Sequence, residues 1–154
     1  MASSQQDYTR LLVQRFEEEF GGPVKVVDTP FVGVDASKDL AGPGRFHGTC
    51  RTHVGGLSHL VRHTRPDGEQ SVFFLQREVT RWSFGSDLRL IRVIGYFKGT
   101  DAYGMLWRAS ETVDVNEVFC QEYSASDYGQ EVSTGRSTSG WCFVWVTRDE
   151  TTKM

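Results

Sequence analysis

The stretch SVFFLQREVTRWSFGSDLRLIRVIGYF, residues 71–97, decides how the rest of the sequence is interpreted. Large apolar side chains alternate with polar ones and arginines on both sides of a Gly-Ser-Asp triplet at 85–87, which is typical of a tight turn. Alternation with a period of two places successive side chains on opposite faces of a strand. The pattern therefore predicts two antiparallel strands, Ser71–Phe84 and Leu88–Phe97, joined by a short turn.

Short runs of β-branched and aromatic residues continue on both sides of this stretch. They predict further strands at 24–27, 31–34, 45–53, 57–64, 103–109, 112–120 and 141–147. Turn residues at 55–56, 65–68 and 99–101 separate several of these runs. Because parallel crossovers need about a dozen residues or more, such short connections favour antiparallel neighbours.

The one strong helical pattern lies at the N-terminus, where apolar residues recur every three or four positions over about 5–20. Ser4 and Asp7 resemble a capping box at its start, and the Gly-Gly-Pro sequence at 21–23 supplies a stop. The three glutamates at 17–19 oppose the helix dipole, which indicates basic neighbours or solvent exposure. We expect an amphipathic helix with one face on the core.

The run at 141–147 is apolar on both faces, with Trp141, Phe143 and Trp145 on one of them. This composition is typical of a central strand that is covered on both sides. The patterns together predict an α+β fold, mainly antiparallel β, in which the N-terminal amphipathic helix packs on a curled sheet or small β-barrel. We expect a single domain over 1–154, with a β-rich region at about 24–147 and a short polar tail at 148–154.

The bulk composition excludes several classes of protein. With 38% hydrophobic and 12% aromatic residues in 154, the chain can bury a core, unlike a disordered or low-complexity sequence. Its apolar runs reach about four residues, against the roughly 18 that a membrane-spanning helix needs. The N-terminus lacks the pattern of a secretory signal, and three cysteines are typical of reduced thiols. We therefore expect a soluble intracellular protein without membrane association.

All four histidines lie between residues 47 and 63. If the glycines at 55–56 form a hairpin turn, Cys50, His59 and His63 share one face and can converge on one ion, with zinc the expected cofactor. If the segment is helical, His59 and His63 lie one turn apart, which again suits a metal. A Cys50 nucleophile with a histidine base makes a small enzyme one alternative function. The competing interpretation is that these histidines are solvated strand residues.

Arginines stand among apolar residues on the two strands predicted at 71–97. At the loop end of a barrel they would hold a small apolar or acidic ligand, and the candidate ligand-binding residues are Arg77, Arg81, Trp82, Arg92 and Trp107. The long loops at 35–44 and 124–140 could form the same binding end. The leading hypothesis is a non-enzymatic binding domain for such a ligand or for a protein partner, and a homo-oligomer stays open.

A second alternative follows from the distribution of charge. The segment from Arg45 to Arg108 carries ten Lys or Arg against five Asp or Glu, which favours a nucleic-acid-binding surface on the basic central segment. The net charge of −3 for the whole chain weighs against nucleic acid as a partner.

Overall fold

The computed structural model describes residues 2–31, 42–106, 116, 118–126 and 139–147. The chain divides into two compact units, Met1–Trp107 and Arg108–Met154. Across the described ranges, the first unit holds four α-helices and one short strand pair, and the second holds one longer strand pair. The chain is thus α+β with antiparallel strands, and its described strands do not close into a barrel. The expectation of a single domain stays a prediction.

The first helix, α1, spans Gln6–Phe20 and confirms the helix predicted from the N-terminal pattern. Its inner face buries Phe16 completely. The helix ends at Gly21, which adopts the left-handed conformation with φ of 86° and donates its N–H to a carbonyl of the last turn. The cap predicted at Ser4 is wrong, because the helix begins one residue later and the cap position falls on Gln5, whose side chain makes no capping hydrogen bond.

The second helix, α2, spans Cys50–His63, so the hairpin predicted around 55–56 and the strands predicted at 45–53 and 57–64 are wrong. Its buried side chains recur every three or four residues, at Cys50, Val54, Leu57, Leu60 and Val61. Gly56 lies in the middle of the helix, where a Cβ atom would come within 2.6 Å of Leu12 Cδ2 on α1. This glycine therefore permits a close approach of two helices and forms no turn.

Two further helices, α3 at Glu69–Glu78 and α4 at Phe84–Gly99, replace the strand pair predicted over 71–97. The Gly-Ser-Asp triplet forms part of the first turn of α4. Ser83 caps that helix, since its hydroxyl accepts the Ser86 N–H and the Ser86 hydroxyl accepts the Ser83 N–H, both at 3.2 Å. Residues 93–97 of α4 are all buried, so the end of this helix is enclosed on every side and its burial follows neither period strictly.

Among the described residues, the structure contains only some of the other strands and turns that the sequence predicts. Residues 24–27 form no strand, 65–68 include a single 3₁₀ turn at Pro66–Gly68, and residues 100–102 form a turn after α4. Strands β1 at Ala2–Ser3 and β2 at Met105–Leu106 pair antiparallel, which confirms only the centre of the strand predicted at 103–109. Much of the segments predicted at 31–34, 103–109 and 112–120 falls outside the described residues.

An ion pair and a hydrogen bond join α1 to its neighbours within the first unit. The Lys98 ammonium on α4 lies 2.7 Å from the Glu17 carboxylate, and the His53 ring on α2 lies 2.8 Å from Glu19. The hydrogen bond from Lys98 holds the pKa of Glu17 below its ordinary value. Both conditions expected of the glutamate run occur, since Lys98 lies beside Glu17 and the side chains of Glu18 and Glu19 are exposed.

A buried carboxylate fixes the segment that precedes α2. Asp87, in the first turn of α4 and 3% exposed, accepts the backbone N–H groups of Arg45 and Phe46 and the indole N–H of Trp82. The segment passes so close that a Cβ atom on Gly44 would meet the Asp87 carboxylate at 2.6 Å. Among the described helices, none is long and apolar enough to cross a membrane.

The second unit contains an antiparallel hairpin pair, β3 at Val118–Ser126 and β4 at Ser139–Thr147. Strand β4 confirms the strand predicted at 141–147. The expectation that it is central and covered on both faces is wrong, because the side chains of Trp141 and Trp145 are 69% and 67% exposed. Its partner among the described strands is β3, in place of the two flanking strands that a central position requires.

Candidate functional site

Helix α2 separates the three residues that the hairpin arrangement would have joined. Cys50 lies in its first turn, whereas His59 and His63 lie near its end, so a rise of 1.5 Å per residue places Cys50 and His59 about 13 Å apart along the axis. Within the described part of the chain, no group of three or more His, Cys, Asp or Glu side chains is placed to hold a metal. The helical alternative, a pair of histidines one turn apart, is the arrangement that forms.

The Cys50 side chain is buried and its sulfur lies 3.3 Å from the His47 carbonyl oxygen. Burial raises the pKa of the Cys50 thiol. Because the thiolate is the nucleophilic form, a buried thiol with a raised pKa reacts slowly at neutral pH. These surroundings give the proposed cysteine nucleophile little support.

The predicted ligand-binding residues have diverse surroundings in the helical unit. The Arg77 guanidinium lies over the Phe73 ring at 5.8 Å, and Arg92 Nη2 donates to the Thr29 hydroxyl at 2.7 Å. Trp82 is 2% exposed and its indole donates to Asp87, so its ring belongs to the interior. Arg81 is exposed, and Trp107 lies outside the described residues.

Sequence reasoning missed a polar cluster beside a surface pocket of about 460 Å³. The Arg65 guanidinium is buried, donates to Asp67 and to the Thr100 carbonyl, and lies 4.8 Å from the centre of the Phe97 ring. The Tyr96 hydroxyl also donates to Asp67, at 2.6 Å. These polar groups satisfy one another's hydrogen-bonding capacity. The cluster therefore links the segment that follows α2 to the end of α4 and has a structural role. The Arg-Pro-Asp-Gly sequence at 65–68 predicts a turn, but it does not predict that Arg65 and Asp67 form a buried cluster.

Burial and hydrogen bonding act in opposite directions on the carboxylate of this cluster. Burial alone would raise the pKa of Asp67, but the hydrogen bonds from Arg65 and Tyr96 outweigh it and lower the pKa below its ordinary value. Burial and the neighbouring Asp67 carboxylate raise the pKa of Tyr96. At neutral pH, Asp67 is therefore ionised and Tyr96 is a neutral hydrogen-bond donor.

The hairpin of the second unit presents the other candidate site. Trp141, Phe143 and Trp145 lie on one face of β4, as the alternation predicted, and we name these three side chains the aromatic stripe. Residues two positions apart on a strand are separated by roughly 7 Å, so the stripe, which spans four positions, extends over roughly 13 Å. Phe143 is 58% exposed, and the two tryptophans are more exposed still.

The neighbouring strand adds small and polar groups to the face that carries the aromatic stripe. Cys120 lies directly opposite Trp145, and Glu122 lies opposite Phe143 at the centre. The Cys120 thiol is free and exposed. Glu122 is the only charged residue in the sequences of the two strands, so the stripe is an apolar surface with one central carboxylate.

Comparisons with protein families, with characterised proteins and with solved structures find no match to this chain.

Proposed function

We propose that this chain is a non-enzymatic binding domain for a protein partner and that the aromatic stripe is its contact surface. The observation that carries the proposal is the exposure of Trp141, Phe143 and Trp145 side by side on one strand face. Contiguous exposed apolar side chains mark interaction surfaces in soluble proteins. Tryptophan and tyrosine, with arginine, are the residues that most often dominate binding energy at such surfaces.

The charge of the hairpin defines the partner more closely. Glu122 stands beside Phe143 at the centre of the stripe, and the two strands contain no Lys or Arg. A carboxylate surrounded by apolar groups favours a partner that brings a Lys or Arg against it. A polyphosphate such as nucleic acid would meet a negative charge here, with no Lys or Arg on either of the two strands to offset it. The proposed partner is therefore a protein surface of aromatic and branched side chains around one basic group.

A second copy of the chain fits the stripe less well. If two stripes met with Phe143 on Phe143 and the two β4 strands antiparallel, the two Glu122 carboxylates would face each other across the interface. Like charges in a desolvated contact destabilise it. The small-ligand form of the sequence-based hypothesis required a barrel interior, which the described strands do not form.

The proposal is tested by selecting random 12-residue peptides displayed on phage against the full chain. We expect the selected peptides to combine aromatic or branched residues with Lys or Arg. Binding is then measured by fluorescence anisotropy of labelled synthetic peptides. Replacing Trp141 or Trp145 by Ser should weaken binding by about thirtyfold or more, the effect of removing a dominant interface residue.

The charge and the position of the site are tested separately. Glu122→Lys should shift the selected peptides from basic to acidic residues. Phe84→Ser is the matched control, since this 45% exposed aromatic residue lies in the other unit and should leave binding unchanged. Circular dichroism checks that each variant keeps its fold. Peptides that bind the tryptophan variants equally well, or a dimer that these variants abolish in sedimentation, would overturn the proposal.

A further inference from the structure

The end of α2 brings two imidazole rings together on the exposed face of the helix. The rings of His59 and His63 have their centres 4.2 Å apart and are inclined by 35°. Both side chains are exposed, so an ion from solvent can reach them. Imidazole nitrogens are ligands for Zn²⁺, Cu²⁺ and Ni²⁺.

Hydrogen bonds fix which nitrogen of each ring carries a lone pair. His63 Nδ1 lies 2.7 Å from the His59 carbonyl oxygen, which only accepts, so Nδ1 carries the proton and Nε2 of the neutral ring is left as a ligand atom. A ring N–H donated to a backbone carbonyl is the usual support of a metal-binding histidine.

The orientation of His59 follows from its neighbours on the N-terminal segment. The Thr64 hydroxyl donates to Gln5 Oε1, which turns the amide nitrogen of Gln5 towards His59 Nε2 at 3.4 Å. Because an amide NH₂ group only donates, His59 Nε2 also holds a lone pair. The Tyr8 ring packs edge-on against His59 at 5.3 Å and holds its plane. The hydrogen bond from Gln5 is long, so an incoming cation can displace it.

The ring spacing is close to what one shared ion needs. When two imidazoles bind one ion with metal–nitrogen bonds of about 2.0–2.1 Å and an angle of about 90° between those bonds, the ring centres lie about 4.5 Å apart. The observed separation of 4.2 Å is close to this value. We propose that His59 and His63 form a two-histidine site for a borderline divalent cation such as Cu²⁺, Ni²⁺ or Zn²⁺, whose other positions are filled by water.

Binding of an ion at this site would stabilise the end of α2. An ion held by residues four positions apart links the last two turns of α2, where Gln5 and Tyr8 contact the helix. Because the unfolded chain does not hold the two rings together, the ion stabilises the folded state by mass action. This site lies in the helical unit and does not depend on the function proposed for the hairpin.

The test uses the full chain after removal of metal with a chelator and desalting. Titration with CuCl₂, NiCl₂ or ZnCl₂ is followed by calorimetry and by the midpoint of thermal unfolding, with MgCl₂ as the negative control. We expect one ion per chain, with Cu²⁺ binding most tightly, as the order of transition-metal affinities requires. The unfolding midpoint should rise with Cu²⁺ and stay constant with Mg²⁺.

Variants locate the site. His59→Ala and His63→Ala should each lower the affinity for Cu²⁺ by about tenfold or more. His47→Ala is the matched control, because this exposed histidine precedes α2, and it should leave the affinity unchanged. Each titration is repeated with Cys120→Ser, since the exposed thiol is a competing soft ligand.

Electron paramagnetic resonance of the Cu²⁺ form supplies a readout that does not depend on stability. Coupling to two imidazole nitrogens is expected in the starting protein and to one in His63→Ala. Binding that survives both histidine variants, or equal losses in His47→Ala, would overturn the proposal, as would the absence of any thermal shift with Cu²⁺.

Discussion

The helical unit and the hairpin place similar aromatic side chains in opposite environments. Phe16, Phe46 and Phe97 are at most 1% exposed, whereas Trp141 and Trp145 are more than 65% exposed. In the helices the aromatic rings stabilise the fold, since burying a large ring removes 150–250 Å² of surface from water. In the hairpin the same kind of surface is largely exposed to water. The contrast places buried aromatic rings that stabilise the fold in the first unit and the proposed contact surface in the second.

The largest effect is expected when a buried aromatic side chain of the helical core is truncated. Phe16→Ala should lower the free energy of unfolding by about 3–5 kcal/mol, because the ring is fully buried and packs against Phe46. Denaturant unfolding followed by circular dichroism measures the loss. Leu11→Ala, on the outer face of the same helix, is the control, with a loss below about 1 kcal/mol. Equal losses would contradict the described burial.

The buried carboxylate of Asp87 gives the next largest effect. Asp87→Ala leaves two backbone N–H groups and the Trp82 indole without their acceptor, which should cost about 3 kcal/mol. Asp7→Ala, at a fully exposed position, should change stability by less than about 0.5 kcal/mol. A loss below about 1 kcal/mol for Asp87→Ala, measured in the same unfolding experiment, would show that the network is not formed.

Adjacent glycines of α2 should respond with opposite signs. Gly56→Ala forces a Cβ atom against Leu12 Cδ2 and should destabilise by about 1–3 kcal/mol. Gly55 has open space around its Cβ position, so Gly55→Ala should stabilise the helix by about 1 kcal/mol. Thermal unfolding of the two variants separates a helix from a hairpin turn, because replacing glycines of a tight turn would destabilise in both cases.

The Arg65 cluster predicts a dependence of stability on pH. The pKa of Asp67 is lowered in the folded state, so its contribution is present above the ordinary carboxyl pKa and is lost as the pH falls through the lowered value. Asp67→Asn should therefore flatten the decline of stability in acid. Unfolding midpoints measured over the acidic range test this, with Asp7→Asn as the exposed control. An unchanged acid slope in Asp67→Asn would contradict the pairing with Arg65.

The smallest effect on stability is expected in the hairpin. Trp145→Ala should cost less than about 1 kcal/mol, because two thirds of the side chain is already in water. A central strand covered on both sides would instead lose about 3–5 kcal/mol. Denaturant unfolding measures the loss, and a large loss would show that the aromatic stripe supports the fold and is not the proposed contact surface.

Local signals in the sequence were sufficient for α1 and β4. Helix α1 has apolar residues at a period of 3.6 and a glycine stop, and the alternation at 141–147 places the aromatic stripe on one face. The burial of β4 could not be predicted, because it depends on what packs against the strand and not on the strand itself.

Three physical reasons make the helices of the stretch 50–97 resemble strands in the sequence. Short apolar runs satisfy a strand period and a helix period at once, so length and capping have to decide. Gly56 allows Leu12 to approach α2 closely, and the sequence alone does not distinguish a glycine with this role from a glycine in a turn. The cap of α4 uses two serines, Ser83 and Ser86, in place of the more familiar serine and glutamate pair.

The candidate sites show the same limit. The sequence predicts the histidine pair, because residues four positions apart lie one turn apart on a helix, whereas only the fold shows that Cys50 is far from the pair. The buried Arg65 cluster needs partners from 35 residues away, at Thr100, which local sequence cannot supply.

The placement of the tryptophans gives the chain a built-in optical contrast. Trp82 is enclosed and hydrogen-bonded to a carboxylate, while Trp141 and Trp145 are in contact with water. In a Trp107→Phe variant, an aqueous quencher such as acrylamide should extinguish the long-wavelength emission of the hairpin first and leave the short-wavelength emission of Trp82. One sample can then report the occupancy of the stripe and the integrity of the helices as two separate colours.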